Sequence, residues 1–280
     1  MDVHTVTTSR SSGLIEDPQG PSKSEVSLAA TVRVEILPAA PDAPLRVRTT
    51  YEKSSATTKS DSYDPSLAVL EEQYRKLEGR SLEFSFDALG KAANYTGLEG
   101  LFPDEKAATA AREWFSQLAT GIDLPREGVI PGQSWSSVRT NVAGMPLLGL
   151  TWRTESTYLR DEPCFLPDSS APAPSPATAA EADTCAVIRT RLSVAQRPMK
   201  NPTPDDYRRH NMHTSGKLSS SGESVSYISR KTGWIVRVTQ TSLEEMDVTL
   251  LASDGGSKLR INGRVESSTR ILLLPSEKPK

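Results

Sequence analysis

Hydrophobic and polar residues alternate along much of the chain, most clearly over residues 25–36, EVSLAATVRVEI. The apolar positions of this segment are Val26, Leu28, Ala30, Val32, Val34 and Ile36. The positions between them are mostly polar. A period of two predicts a half-buried antiparallel strand, with one face towards the core and the other towards water. Together with residues 3–10 and 45–54, this segment predicts a three-stranded meander.

Two segments have the periodicity of helices. The first begins at the N-cap Asp64, followed by Pro65 in the first turn, and is expected to end at Gly79. Its apolar stripe consists of Leu67, Leu70, Tyr74 and Leu77. The second is predicted between Asp104 and Gly121, with a stripe of Ala107, Ala108, Ala111, Trp114, Phe115 and Leu118. Because each helix has a single apolar side, we expect both to pack on a sheet.

The order of elements in the first half recurs in the second half. Residues 125–280 again contain a run of alternating segments and then a hairpin. We therefore predict a mainly β fold of the α+β type: a curved antiparallel sheet of about 10–12 strands in two repeated halves, with the two helices packed on it. The halves are residues 1–124, which include the helices, and residues 125–280. We expect them to form one continuous structural unit.

Two hairpin segments, residues 79–97 and 222–240, resemble each other. Each has two glycines eleven positions apart, Gly79 and Gly90 in the first and Gly222 and Gly233 in the second. The apolar positions between the glycines correspond, whereas the polar positions do not. A shared catalytic site would keep its chemical groups and vary its packing. The similarity therefore indicates one hairpin plan used twice, with a glycine at each turn.

Cys164 and Cys185 flank a Pro-, Ala- and Ser-rich segment that has no hydrophobic periodicity. This composition predicts a mobile surface loop over residues 163–184, and cysteines at its two ends suggest a disulfide. The alternative is two unrelated buried thiols. A disulfide favours the periplasm or the cell exterior. No signal peptide is visible in the first residues. Because a strand-like pattern starts almost at once, we expect Met1 to replace a removed leader; the alternative is a cytoplasmic protein with its natural start.

Composition argues against two classes of partner. The formal net charge is −2, and lysines and arginines are scattered among acidic residues, so no concentrated basic surface for nucleic acid is expected. No apolar run approaches the roughly 18–20 residues that a membrane span requires. A hydrophobic fraction of 36% with 20 prolines instead predicts polar loops around a modest core.

Residues 205–213, DDYRRHNMH, form the strongest candidate for chemistry. Histidines and carboxylates occur together there, and a histidine can act as a base that neighbouring carboxylates tune. The residues are Asp205, Asp206, Arg208, Arg209, His210 and His213. The segment is also typical of a solvated loop. No recognised catalytic, metal-binding or cofactor-binding motif is present, so we predict no catalytic residue, metal or cofactor.

The segment Pro125–Trp135, PREGVIPGQSW, resembles a pattern in uncharacterised bacterial cell-envelope proteins, in which G-x-x-W introduces a long antiparallel strand. The resemblance implies an architecture similar to the curved half-barrels of lipoprotein carriers, where helices cover a bent antiparallel sheet. It implies no catalytic residues.

These observations favour a non-enzymatic envelope protein with an apolar cleft between sheet and helices. The ligand would be a lipid or another hydrophobic small molecule. The candidate lining residues are Val32, Val34, Phe84, Phe86, Trp114, Phe115 and Leu118. The same residues could equally be ordinary core. Two other functions remain open: a hydrolase of unrecognised type that uses residues 205–213, and a structural or protein-interaction scaffold. The oligomeric state is left open.

Overall fold

A computed structural model of the 280-residue chain describes residues 2–17, 20–38, 43–62, 65–86, 92–97, 124–125, 127–140, 145–164, 183–256 and 258–274. The helices are α1 (Pro65–Lys76) and α2 (Asp205–Arg209). The strands are β1 (Asp2–Asp17), β2 (Gly20–Leu37), β3 (Arg46–Ser60), β4 (Ser81–Phe86), β5 (Ala92–Thr96), β6 (Ser134–Thr140), β7 (Leu150–Pro163), β8 (Thr184–Gln196), β9 (Met212–Ser229), β10 (Ile235–Ala252) and β11 (Lys258–Leu274).

The eleven described strands form one open antiparallel sheet, in the order β5-β4-β3-β2-β1-β11-β10-β9-β8-β7-β6. Neighbours are consecutive in the chain except at the centre, where the first strand pairs with the last over the register His4↔Leu274 to Glu16↔Asn262. The predicted mainly β fold and its strand number are confirmed. The chain ends thus join the two meanders, β1–β5 and β6–β11, into one sheet.

The strands are longer than the sequence predicted, and β2 does not separate a dry face from a wet one. The predicted strand over residues 25–36 lies inside β2, but every residue from Val26 to Leu37 is half-buried except Ala30, which is buried. Both faces of β2 are therefore partly covered. On the face expected to be wet, the long side chains of Arg33 and Glu35 lie over the sheet with their charged groups 3.5 Å apart.

Strand register assigns the residues to two faces, since residues paired directly across a sheet point to the same side. One row crosses eight strands through direct pairs: Ser54, Ala30, Thr7, Ile271, Val238, Ser226, Ile188 and Tyr158. Most of this row is buried. We name the side to which it points the apolar face and the other side the charged face.

Helix α1 lies beside β3 and confirms the first predicted helix. Its stripe is half-buried, and Gly79 follows with a φ of 78°, which favours glycine. Strand β4 pairs only with Arg46–Thr50, so the rest of β3 has no described strand on that side. The helix supplies hydrogen-bond partners there: Thr58 N donates to Glu71 Oε1 at 2.6 Å and Ser54 Oγ donates to the Tyr74 carbonyl at 2.7 Å. It thereby protects an edge that would otherwise offer unpaired backbone groups.

The other helix predictions had different outcomes. The second predicted helix, Asp104 to Gly121, lies outside the described residues. Helix α2 forms where the sequence predicted a loop, so that prediction is wrong for five residues. Pro204 has an extended backbone, with φ −64° and ψ 155°, and the chain then turns once before His210. A single turn has too few hydrophobic positions to show a helical period.

Both predicted hairpins are present, as β4–β5 and β9–β10. Gly233 turns the second with a φ of 74°, and its N–H donates to the Ser229 carbonyl at 2.8 Å. Gly90 lies outside the described residues. The first glycines of the two segments are not equivalent, because Gly79 follows a helix whereas Gly222 lies inside β9 opposite Ser242. The shared plan is thus the apolar alternation rather than the glycine spacing.

The predicted disulfide between Cys164 and Cys185 is confirmed, with a Cα–Cα distance of 4.8 Å. It lies between the end of β7 and the start of β8, with both cysteines buried against Val236. The ladder reaches further than predicted: residues 163 and 184 are paired, and Cys164 N donates to the Asp183 carbonyl at 2.9 Å. The mobile loop predicted over residues 163–184 is therefore wrong at both of its ends, and its remainder, residues 165–182, lies outside the described residues.

Candidate functional site

The structure brings four of the seven predicted ligand residues to the apolar face. Val32 and Val34 lie on β2, and Phe84 and Phe86 lie on β4, all half-buried. Val47 links the two strands, because it pairs with Ile36 on one side and Phe84 on the other. The other three predicted residues are outside the described residues, namely Trp114, Phe115 and Leu118.

Aromatic rings and aliphatic side chains give this end of the face a low-polarity surface. The Phe84 ring lies 5.4 Å from that of Phe86, edge-on, and 5.7 Å from that of Tyr95. Tyr51, the cross-strand partner of Val32, is also shielded from water: its burial, with a smaller contribution from Tyr74, raises its pKa to about 12. Such a surface can hold apolar groups and disfavours charged ones.

A second apolar cluster occupies the other end of the same face. Its buried members are Leu147, Leu150, Val194, Leu218 and Val248. Met145, Trp152, Met246 and Leu250 pack on it and are only partly buried. Leu150, Trp152 and Tyr158 share this face by the register of β7 and β8.

Hydroxyl side chains separate the two apolar ends, a feature that sequence reasoning missed. We name this set the hydroxyl belt; its members are Ser9, Ser11, Ser156, Thr190, Ser224, Ser242, Ser267 and Thr269. Pairs of them hydrogen-bond across strands, Ser156 with Thr190 at 2.9 Å and Ser9 with Thr269 at 3.0 Å. The signal in the sequence was a small polar residue at every second position, but only the register shows that these positions align.

Glu244 is the only charged side chain described on the apolar face across β2, β1, β11, β10, β9 and β8. It pairs with Ser220 on β9 and Val265 on β11, next to the hydroxyl belt. Burial raises the pKa of its carboxyl group. Adjacent Glu245 points to the charged face, 3.7 Å from Arg264. The two glutamates are adjacent in a strand and so lie on opposite faces, and the register shows which face each takes.

The charged face carries two grooves, of about 880 and 990 Å³. None of the four described ligand candidates, Val32, Val34, Phe84 and Phe86, lines either groove. The larger groove is bordered by Arg10, Arg191, Glu223 and Glu266, and Arg191 lies 3.1 Å from Glu223. Since arginines and glutamates alternate there and pair with one another, this groove offers no field of a single sign for a charged ligand.

Residues 205–213 do not form a cleft with a histidine facing a free carboxylate. Asp205 pairs with Arg208, and Asp206 lies 3.7 Å from Arg209. Exposed His210 has Nδ1 2.8 Å from the Asp206 carbonyl oxygen. Within the described part of the chain, no group of three histidine, cysteine or acidic residues could hold a metal ion.

No protein-family model and no curated protein sequence matches the chain. The resemblance to bacterial cell-envelope proteins stays a prediction. Neither helix in the described ranges is long and apolar enough to cross a membrane.

Proposed function

We propose that this chain is a non-enzymatic bacterial envelope protein that binds a lipid-like or hydrophobic ligand on the apolar face, between the sheet and its helices. The carrying observation is the half-buried apolar surface formed by Val32, Val34, Phe84 and Phe86. These side chains share one face of an open sheet, and α1 lies beside β3, where Ser54 on the same face donates to the Tyr74 carbonyl. Half-buried apolar groups that converge on one surface are typical of a ligand site.

The disulfide supports the compartment in this proposal. Cys164 and Cys185 are bonded and buried, and such bonds persist in oxidising surroundings such as the periplasm or the cell exterior. The cytoplasm remains the alternative location. The arrangement of residues 205–213 adds no support for a hydrolase, because both of its carboxylates lie beside arginines.

Binding of the fluorescent apolar dye N-phenylnaphthylamine tests the proposal. Val32→Thr with Val34→Thr keeps the side-chain shape but places two hydroxyl groups on the apolar face. We expect the double variant to bind the dye roughly tenfold more weakly, because burying an unpaired hydroxyl is costly. The control is Thr31→Val, which adds a methyl group to the charged face of the same strand. Equal affinity for the wild type and the double variant, or no saturable binding at all, would remove this site from the proposal.

A further inference from the structure

We infer that Glu244 and the adjoining hydroxyl belt form a subsite for the cationic headgroup of an amphiphile whose apolar part lies on Met246 and Leu250. This inference rests on the proposed function, that the apolar face binds a hydrophobic ligand, and it adds a position on that face beside the second apolar cluster, at the opposite end from Val32 and Val34. The occupant is a molecule with an amine or quaternary ammonium group at one end and a hydrocarbon chain at the other.

Glu244 occupies an unusual position for a charged residue. The strands β2, β1, β11, β10, β9 and β8 are neighbours in the sheet, and all their other described charged side chains lie on the charged face. The Glu244 carboxylate therefore stands alone among hydroxyl and apolar groups. Ser220 and Val265 on either side of it are half-buried and carry no charge. The charged form of a carboxylate in such surroundings is stabilised when a cation binds next to it.

Glu244 has no charge partner among the described residues, in contrast to its neighbour. In the part of the chain that the structure describes, no hydrogen bond or ion pair to Glu244 is found, and burial raises the pKa of its carboxyl group. Neighbouring Glu245, in contrast, has Arg264 at 3.7 Å on the charged face. Glu244 is half-buried, and a partly desolvated carboxylate without a described charge partner leaves a place for a ligand charge.

The surroundings determine the shape of the ligand. On one side of Glu244 along β10 is Ser242 of the hydroxyl belt, whose oxygen can accept a hydrogen bond from a protonated amine or lie against the methyl groups of a quaternary ammonium. On the other side are Met246 and then Leu250, which pack against the second apolar cluster and are only partly buried. Polar and apolar surfaces thus meet at the carboxylate, as the two ends of an amphiphile require. An anionic headgroup would meet repulsion there and find no cation on this face in these strands.

Titration calorimetry with three single-chain amphiphiles tests the inference. The probes are dodecyltrimethylammonium, dodecyl maltoside and dodecyl phosphate, each below its micelle-forming concentration and added to the purified full chain. We expect the cation to bind at least about tenfold more tightly than the phosphate, an advantage that salt should reduce. Glu244→Gln should abolish that preference while leaving maltoside binding unchanged. The matched control is Glu245→Gln, one residue along and on the other face, which should keep the preference.

The outcomes separate this inference from the proposed function. If all three probes bind with equal affinity, or if Glu245→Gln removes the preference as fully as Glu244→Gln, the headgroup subsite is wrong and the apolar face remains a candidate site. If none of the three binds saturably, the proposed function itself fails. Thermal unfolding of both variants checks folding: Glu244→Gln should be at least as stable as the wild type at neutral pH, because it removes a carboxylate whose ionisation burial disfavours.

Discussion

Removal of the buried disulfide is the perturbation whose effect follows most directly from the geometry. Cys164 and Cys185 are 21 positions apart, and the bond closes that loop in the unfolded chain as well as in the folded one. The loop-closure entropy lost by an unfolded ring of this size corresponds to about 3 kcal/mol. The double variant Cys164→Ala with Cys185→Ala avoids burying new hydroxyl groups. We expect its free energy of unfolding to be lower by about 2–4 kcal/mol.

Equilibrium unfolding in urea, followed by far-ultraviolet circular dichroism, measures this difference. The wild type unfolded in the presence of a thiol reductant should have the same midpoint as the double variant, because both lack the cross-link. The oxidised wild type should unfold at a clearly higher urea concentration. If oxidised, reduced and substituted proteins share one midpoint, the disulfide does not restrict the unfolded chain and this reasoning is refuted.

Three further predictions, which use five substitutions, test the sheet. Gly216→Ala should cost about 2–4 kcal/mol, because φ is +137° and a Cβ would lie 2.0 Å from a carbonyl oxygen of β10, whereas Gly233→Ala, with nothing within 4 Å, should cost about 1 kcal/mol in chemical denaturation. Leu150→Ala, at 2% exposure, should cost about 3 kcal/mol, and Val138→Ala, at 59% exposure, under about 0.5 kcal/mol by the same assay. Tyr51 has a pKa of about 12 in the folded chain, above its unfolded value of about 10. Its contribution to stability is therefore complete below about pH 10 and is lost by about pH 12. Tyr51→Phe should reduce the loss of stability at about pH 11 by roughly 1 kcal/mol, measured in alkaline titrations followed by circular dichroism.

Local patterns in the sequence were sufficient for the elements of the fold. The period of two over residues 25–36 predicted a strand within β2, and the cap at Asp64-Pro65 with Gly79 predicted α1. The cysteines flanking the Pro-rich segment predicted the disulfide. Each of these features depends on residues close together in the chain or on one pair with an unusual placement. Such information is present in a single sequence.

The pairing of distant strands was not accessible in the same way. Nothing near either chain end indicates that β1 and β11 pair at the centre of the sheet, because antiparallel register depends on contacts between residues far apart. The hydroxyl belt was missed for the same reason: each strand contributes only one or two of its members. Gly79 and Gly222 are equally spaced from the next glycine, but they do not have equivalent places in the two hairpins, because equal spacing does not require equal backbone conformation. Helix α2 was missed because one turn has no period.

The sequence also did not determine whether each candidate residue contacts a ligand or packs in the core. Val32, Val34, Phe84 and Phe86 share a face, as expected, but the pattern for a ligand surface is the same as the pattern for a core. Glu244 and Glu245 are identical as residues, and only the register distinguishes one from the other. The proposed function therefore depends on what contacts the apolar face.

Native mass spectrometry of the chain directed to the periplasm, purified without reductant, tests that claim most directly. The account predicts a mass two hydrogens below that of the reduced chain, together with a co-purified amphiphile that is released when the protein is unfolded. A chain that arrives free of ligand, and that takes up no amphiphile when one is added, would contradict the proposal that the apolar face is a binding surface.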